Sequence, residues 1–109
     1  MNRPDRKDED LRRLANLNRI IHEPGRLAVV SYLAVVDEAD FLFLMDQTGL
    51  TRGNLSSHMA KLEAAGYVEV DKKFVEKIPR TTYRLTAGGR EAFLEYRRGL
   101  LASLGDLPD

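Results

Sequence analysis

The sequence predicts an α+β, mainly helical domain, and three observations lead there. Apolar residues recur at helical spacing from Leu14 to Leu62, give way to alternation between Val68 and Leu85, and return to helical spacing from Phe93 to Leu104. Turn and cap residues fall at the changes: Pro24-Gly25, Gly49, Gly66 and Ile78-Pro79. With 109 residues, 43% of them hydrophobic, the chain has material for one modest core.

The first helix is predicted over Asp8 to Ile21, with Leu14, Leu17 and Ile21 on one stripe behind acidic residues suited to a helix start. Pro24, tolerated in a first turn, opens a second helix with Leu27, Val30, Leu33 and Ala34, expected to stop around Asp37. A short third helix begins at Asp40, carries Phe41, Leu44 and Met45, and stops at Gly49. Thr51 is a good N-cap for a fourth, in which Leu55, Met59 and Leu62 face inward as far as Ala65-Gly66. Two helices joined by so short a turn make a helix-turn-helix unit. Val68, Val70, Lys72 and Phe74 then alternate with Glu69, Asp71 and Lys73 as a strand. Ile78-Pro79 is expected to form the turn, since proline fits poorly inside a central strand. Thr81, Tyr83 and Leu85 return as a second strand, and Thr86 caps a last helix with Phe93, Tyr96, Leu100 and Leu104 on one stripe. The order is that of a winged helix-turn-helix: N-terminal helix, three-helix core, two-stranded wing, C-terminal helix. Residues 1–9 are expected to be a disordered charged N-terminus, 10–104 the domain with its terminal helices, and 105–109 a flexible tail.

Composition removes several classes of chemistry. The chain has no cysteine, so disulfides and thiolate metal sites are excluded, and two histidines, His22 and His58, are thin material for a metal centre. No metal and no cofactor is expected. The apolar runs stop well short of the roughly 18 to 20 residues of a membrane span, and the charged start lacks a signal-like segment, so a cytoplasmic location is expected. No nucleophile is paired with a base and no glycine loop suits phosphate; Thr86-Ala87-Gly88-Gly89 reads as a helix start. The chain is not expected to be an enzyme.

Net charge is zero, yet its distribution is uneven. Residues 51–90 hold eight Lys/Arg against four Asp/Glu, a balance of +4, while 1–50 and 91–109 each stand at −2. Opposite the Leu55, Met59 and Leu62 stripe, the fourth helix places Gly53, Asn54, Ser57, Ala60, Lys61 and Ala64. An ordinary solvent face favours long helix-forming Glu and Lys, whereas Gly53, Asn54, Ser56 and Ser57 disfavour helix. Such a small, polar face suits entry into a major groove about 12 Å wide. Thr51 and Arg52 stand at the free N–H groups of the helix start and suit a phosphate. His58 lies beside the inward stripe and reads as a structural histidine. Lys72, Lys73, Lys77 and Arg80 surround the hairpin turn, where they suit flanking phosphates or a minor groove; lysines there also guard an edge strand from pairing.

These residues resemble a known family. Leu50-Thr51-Arg52-Gly53-Asn54-Leu55-Ser56-Ser57-His58, Lys61-Leu62-Glu63 and Ala65-Gly66-Tyr67-Val68-Glu69-Val70, followed by Lys73, Phe74, Pro79-Arg80-Thr81-Thr82-Tyr83-Arg84-Leu85-Thr86 and Gly89-Arg90, resemble compact prokaryotic winged-helix transcriptional regulators related to the MarR and ArsR groups. The similarity runs from about Ile21 to Tyr96, with Pro24 and Arg26-Leu27-Ala28 matching the start of the second helix. The resemblance implies a homodimer with packed terminal helices and two wings astride a roughly palindromic operator in double-stranded DNA. It also implies DNA contacts by Thr51, Arg52, Asn54, Ser57 and Lys61 on the helix and by Lys77, Arg80 and Thr81 around the wing. ArsR-type metal sensors carry cysteine or histidine-carboxylate clusters on their third or last helix, and this chain has none, which argues against metal sensing.

The dimer has separate support from the stripes Leu14/Leu17/Ile21 and Phe93/Tyr96/Leu100/Leu104, which a lone chain would leave partly exposed. The alternative is that each folds back on its own domain. A small-molecule effector in a cleft between the terminal helices is the further partner this arrangement admits. The competing function is a winged helix serving as a protein–protein interaction module without specific DNA binding, which zero net charge suits and the basic 51–90 segment opposes.

Overall fold

The computed structural model describes residues 6–105, and the expected tails fall largely outside them, at 1–5 and 106–109. The described residues form α1 (Arg6–Ala15), α2 (Pro24–Leu33), β1 (Ala39–Asp40), α3 (Phe41–Thr48), α4 (Arg52–Ala64), β2 (Val68–Val75), β3 (Ile78–Leu85) and α5 (Ala87–Leu104). The fold is a winged helix, mainly helical, with a small antiparallel sheet in the order β1-β3-β2.

Two helices differ in extent from the sequence reading, and both end early for a local reason. Helix α1 starts at Arg6, inside the segment expected to be disordered, and ends at Ala15 rather than Ile21. Asn16 folds its amide onto the carbonyl of Arg12 at 2.8 Å, and the Asn18 side-chain oxygen accepts from the N–H groups of Ile20 and Ile21 at 2.9 and 3.2 Å. Such local bonds compete with the helix ladder and stop it. Leu17 and Ile21 therefore lie on a turn, yet both are buried, packed with Tyr96. Helix α2 ends at Leu33, short of Asp37, where Arg90 of α5 donates to the carbonyl of Ala34 at 3.0 Å, an acceptor that a longer helix would use itself.

The helix-turn-helix forms as its caps dictate. Asp40 accepts from the Phe43 N–H to start α3, Gly49 stops it in the left-handed region at φ 70, and Thr51 accepts from the Asn54 N–H to start α4. Val29, Val30, Leu33, Leu44, Leu55, Met59 and Leu62 from these helices are buried together beneath Val68, Tyr83 and Leu85 of the sheet.

The wing corrects the expected turn. Its reversal is the two-residue Glu76-Lys77 turn, with φ of 53 and 67, while Ile78 and Pro79 belong to β3 and pair with Val75 and Phe74. Positive φ at both positions is the hairpin geometry whose twist matches the strands. Pro79 is tolerated because β1 reaches only Tyr83 and Thr82, so at Pro79 the strand has an open edge. The Phe74–Pro79 pair is one removed from the turn-flanking pair, a non-hydrogen-bonded site where the missing N–H would point to that edge. Strand β1, two residues long, carries too little pattern to be read from sequence.

Helix α5 packs on α1 and returns to the core through Phe93 and Tyr96. Its N-cap, Thr86, accepts from the Gly89 N–H and donates to the carbonyl of Gly66 at 2.7 Å. No helix among the described residues is long and apolar enough to cross a membrane.

Candidate nucleic-acid interface

The outer face of α4 follows from its inner one. Leu55, Met59 and Leu62 are buried, and Thr51, Arg52, Gly53, Asn54, Ser57, Ala60, Lys61 and Ala64 are all exposed. The small members of this set leave the helix backbone accessible, and Asn54, Ser57 and Lys61 stand out from it as hydrogen-bonding groups. The Thr51 oxygen accepts from the Asn54 N–H in the cap, which leaves its O–H proton free to donate. Arg52 is held at the helix start with its guanidinium 5.7 Å from the centroid of Phe41, which restrains it by a cation–π contact.

A buried polar link ties α4 to the start of α2. Arg26, the one buried charged residue among the described residues, donates through Nε to the carbonyl of Ile20 at 2.6 Å and through a terminal nitrogen to Nδ1 of His58 at 3.0 Å. Because arginine only donates, Nδ1 of His58 accepts in this contact. Glu23 completes the group: it caps α2 through the N–H groups of Gly25 and Arg26 and lies 3.4 Å from His58 and 3.7 Å from Arg26. Burial pushes the Glu23 carboxyl up, but those two N–H bonds and the neighbouring His58 ring and Arg26 guanidinium outweigh it, so it lies below its ordinary 4.5. Gly25 makes the approach possible, since a Cβ there would stand 2.9 Å from the His58 ring. His58 thus orients α4 from within.

The wing distributes its charge differently from the sequence reading. Lys73 is 3.6 Å from Glu38 and 3.9 Å from Asp71, Arg80 is 3.2 Å from Asp40, and Arg84 is 3.8 Å from Glu38. Two of the expected contact residues, Lys73 and Arg80, are therefore partly neutralised by acids of the α2–α3 connection. That countercharge was missed because Glu38 and Asp40 read as loop and cap residues far away in sequence. Lys72 and Lys77 are exposed, with no ion pair among the described residues, and Thr81 is half-buried.

The residues expected at a dimer contact separate into two groups. Leu17, Ile21 and Tyr96 are buried within the chain, with Leu14, Phe93 and Leu100 packed around them. Leu104 is exposed, together with Leu11, Leu94 and Leu101, which the sequence reading did not single out. Beside this arm lies a groove of about 760 Å³ whose lining includes Arg12, Arg13, Asn18, Tyr67, Tyr96 and Arg98. Asn18 donates to the Tyr67 hydroxyl at 2.8 Å, and His22 shares a 2.8 Å hydrogen bond with the Tyr96 hydroxyl, whose pKa burial raises. No cluster of side chains able to hold a metal ion occurs among the described residues.

Comparison with known proteins bears on this geometry. Residues 26–104 match the family model of a winged helix DNA-binding domain. A Methanocaldococcus jannaschii protein, MJ0432, is 32% identical over 78 residues, which span 72% of this chain and 85% of that one. Among solved structures, a transcriptional regulator homologue from Pyrococcus horikoshii OT3 superposes with a TM-score of 0.82 at 31% identity, covering 91% of this chain and 99% of its own. NadR in complex with 4-hydroxyphenylacetate shares the fold at a TM-score of 0.63 and 22% identity, over 85% of this chain and 68% of NadR. So does a Halomicrobium mukohataei protein with a GntR superfamily winged-helix-turn-helix domain, at 0.58 and 24%, over 100% and 82% of the two chains. With its helix-turn-helix, its wing and these relatives, the chain belongs to the winged helix DNA-binding domain family, the type found in transcriptional regulators.

Proposed function

We propose that the protein is a non-catalytic regulator of transcription that binds double-stranded operator DNA sequence-specifically as a homodimer, with α4 in the major groove. The observation that carries this reading is the outer face of α4, where Arg52, Asn54, Ser57 and Lys61 project from small neighbours that let the helix lie deep. Arg52 serves phosphate, Asn54 and Ser57 base edges, and Lys61 either; Lys72 and Lys77 extend the contact along the wing.

Exposed Leu11, Leu94, Leu101 and Leu104 support pairing of the α1/α5 arms. The groove beside the arm, about 760 Å³ and bearing Arg12, Arg13 and Arg98, supports a small-molecule effector. NadR, whose structure holds 4-hydroxyphenylacetate, provides a parallel.

The test is in vitro selection of duplex DNA with the purified protein at stated salt. An enriched, roughly palindromic site is expected, with binding that weakens steeply as salt rises and a salt slope about one unit smaller for Lys61→Ala if that lysine meets a phosphate. Exposed Val35, Leu42 and Phe43 favour the alternative, a protein–protein interaction module. Failure of the folded protein to enrich any sequence would support that alternative and overturn the operator reading.

A further inference from the structure

The tip of the wing is apolar. Phe74, Val75 and Ile78 are 75%, 40% and 59% exposed, and Pro79 stands exposed beside Phe74 across the strand pair. Strand register puts Lys72, Phe74, Pro79 and Thr81 on the face that, nearer the root of the hairpin, covers the core with Val68, Val70, Tyr83 and Leu85. The tip therefore continues past the core on the side where the helices lie.

Resting on the DNA-binding reading, we propose that Phe74, with Pro79 beside it on the same face, forms a wedge that enters the minor groove beside the α4 site and unstacks a base step there. Three observations favour DNA as the occupant. The tip ends in a two-residue turn with Phe74 exposed close to it, so that one side chain, rather than the whole ribbon, can enter a groove about 6 Å wide. Lys72 and Lys77 flank it against one carboxylate, Glu76, so its surroundings are basic. Four apolar side chains on such a tip fall well below the roughly 800 Å² per partner of a stable protein interface, so the contact needs an affinity supplied elsewhere, which α4 provides. Phenylalanine and proline act as wedges of this kind, kinking the duplex by roughly 20–90° toward the major groove.

The experiment compares the full chain with Phe74→Ser/Pro79→Ser on a selected site carried by a duplex labelled at both ends for energy transfer. Wild type is expected to bend the duplex by at least about 20°. The double variant is expected to bind about tenfold more weakly and leave the duplex nearly straight, and Phe74→Leu to retain most of the bend. Thermal melting establishes that each variant is folded; because the substituted side chains are exposed, the melting point should hardly move. Tight wild-type binding to a straight duplex, or unchanged affinity and bend in the double variant, overturns the wedge while leaving the operator reading intact. A change in oligomeric state with unchanged bending assigns the tip to self-association and also overturns it. Absence of any wild-type binding removes both readings together.

Discussion

Arg26 reaches from the start of α2 to the carbonyl of Ile20 and the ring of His58, and it is the charged group that joins that helix to the middle of α4. Truncation to alanine strands a buried carbonyl and leaves Nδ1 of His58 without its donor, so Arg26→Ala should lower stability by about 2–3 kcal/mol in urea unfolding. Glu23 gives this cluster a pH dependence. Its carboxyl lies below 4.5 in the fold, so its contribution is complete above the unfolded value and is lost as pH falls through the lower folded value. Glu23→Gln should therefore flatten the decline in melting temperature below about pH 4.5 and leave little else changed there. At the wing, Asp40→Asn keeps an oxygen to cap α3 but removes the charge 3.2 Å from Arg80. Titration at low salt should show DNA affinity rising by up to about fivefold, the range of an exposed ion pair; unchanged affinity would show that Arg80 stays away from phosphate.

At the level of elements, α4 was legible because its stripe and caps agree: Leu55, Met59 and Leu62 face inward, Thr51 starts the helix, and the opposite face follows. The strands were legible by alternation, but the turn was misplaced because Pro79 signals a break, whereas Glu76 and Lys77 have no side-chain preference for positive φ. Replacing them with the residues that geometry favours, as Glu76→Asn/Lys77→Gly, should raise stability by about 1 kcal/mol while weakening DNA binding through loss of Lys77. The extent of α1 was illegible because Leu17 and Ile21 keep helical spacing while the bonds of Asn16 and Asn18 end the helix before them. The partial neutralisation of Lys73 and Arg80 depends on a fold-level juxtaposition that charge counting along the chain does not contain. Where α5 begins, Gly89 lies so close to the Tyr67 carbonyl and Leu85 that any Cβ would collide with backbone, and Gly89→Ala should destabilise by roughly 1–3 kcal/mol in thermal or urea unfolding.

Taken whole, the molecule is extended. Its radius of gyration is 16.9 Å, against about 13 Å for a compact chain near this size, with its longest dimension at 69 Å. Part of the terminal stripe is already spent inside the chain on Leu17, Ile21 and Tyr96, so a second copy would meet the outer leucines instead. Leu101→Glu/Leu104→Glu should accordingly sediment near the 12.3 kDa chain mass under conditions where wild type sediments near twice that, with an unchanged circular dichroism spectrum. A wild-type protein that is monomeric at all concentrations would remove the dimer.

The shortness of β1 has a consequence for motion. Because it pairs only with Thr82 and Tyr83, the sheet is three strands wide at the root of the wing and two beyond it. A two-stranded ribbon without a covering layer is marginally stable in water. Amides between Lys72 and Thr81 should therefore exchange with solvent through local opening far sooner than those of β3 near Tyr83. The outer wing would take its final shape only on contact, giving up chain entropy when it docks, while the helix-turn-helix arrives already formed.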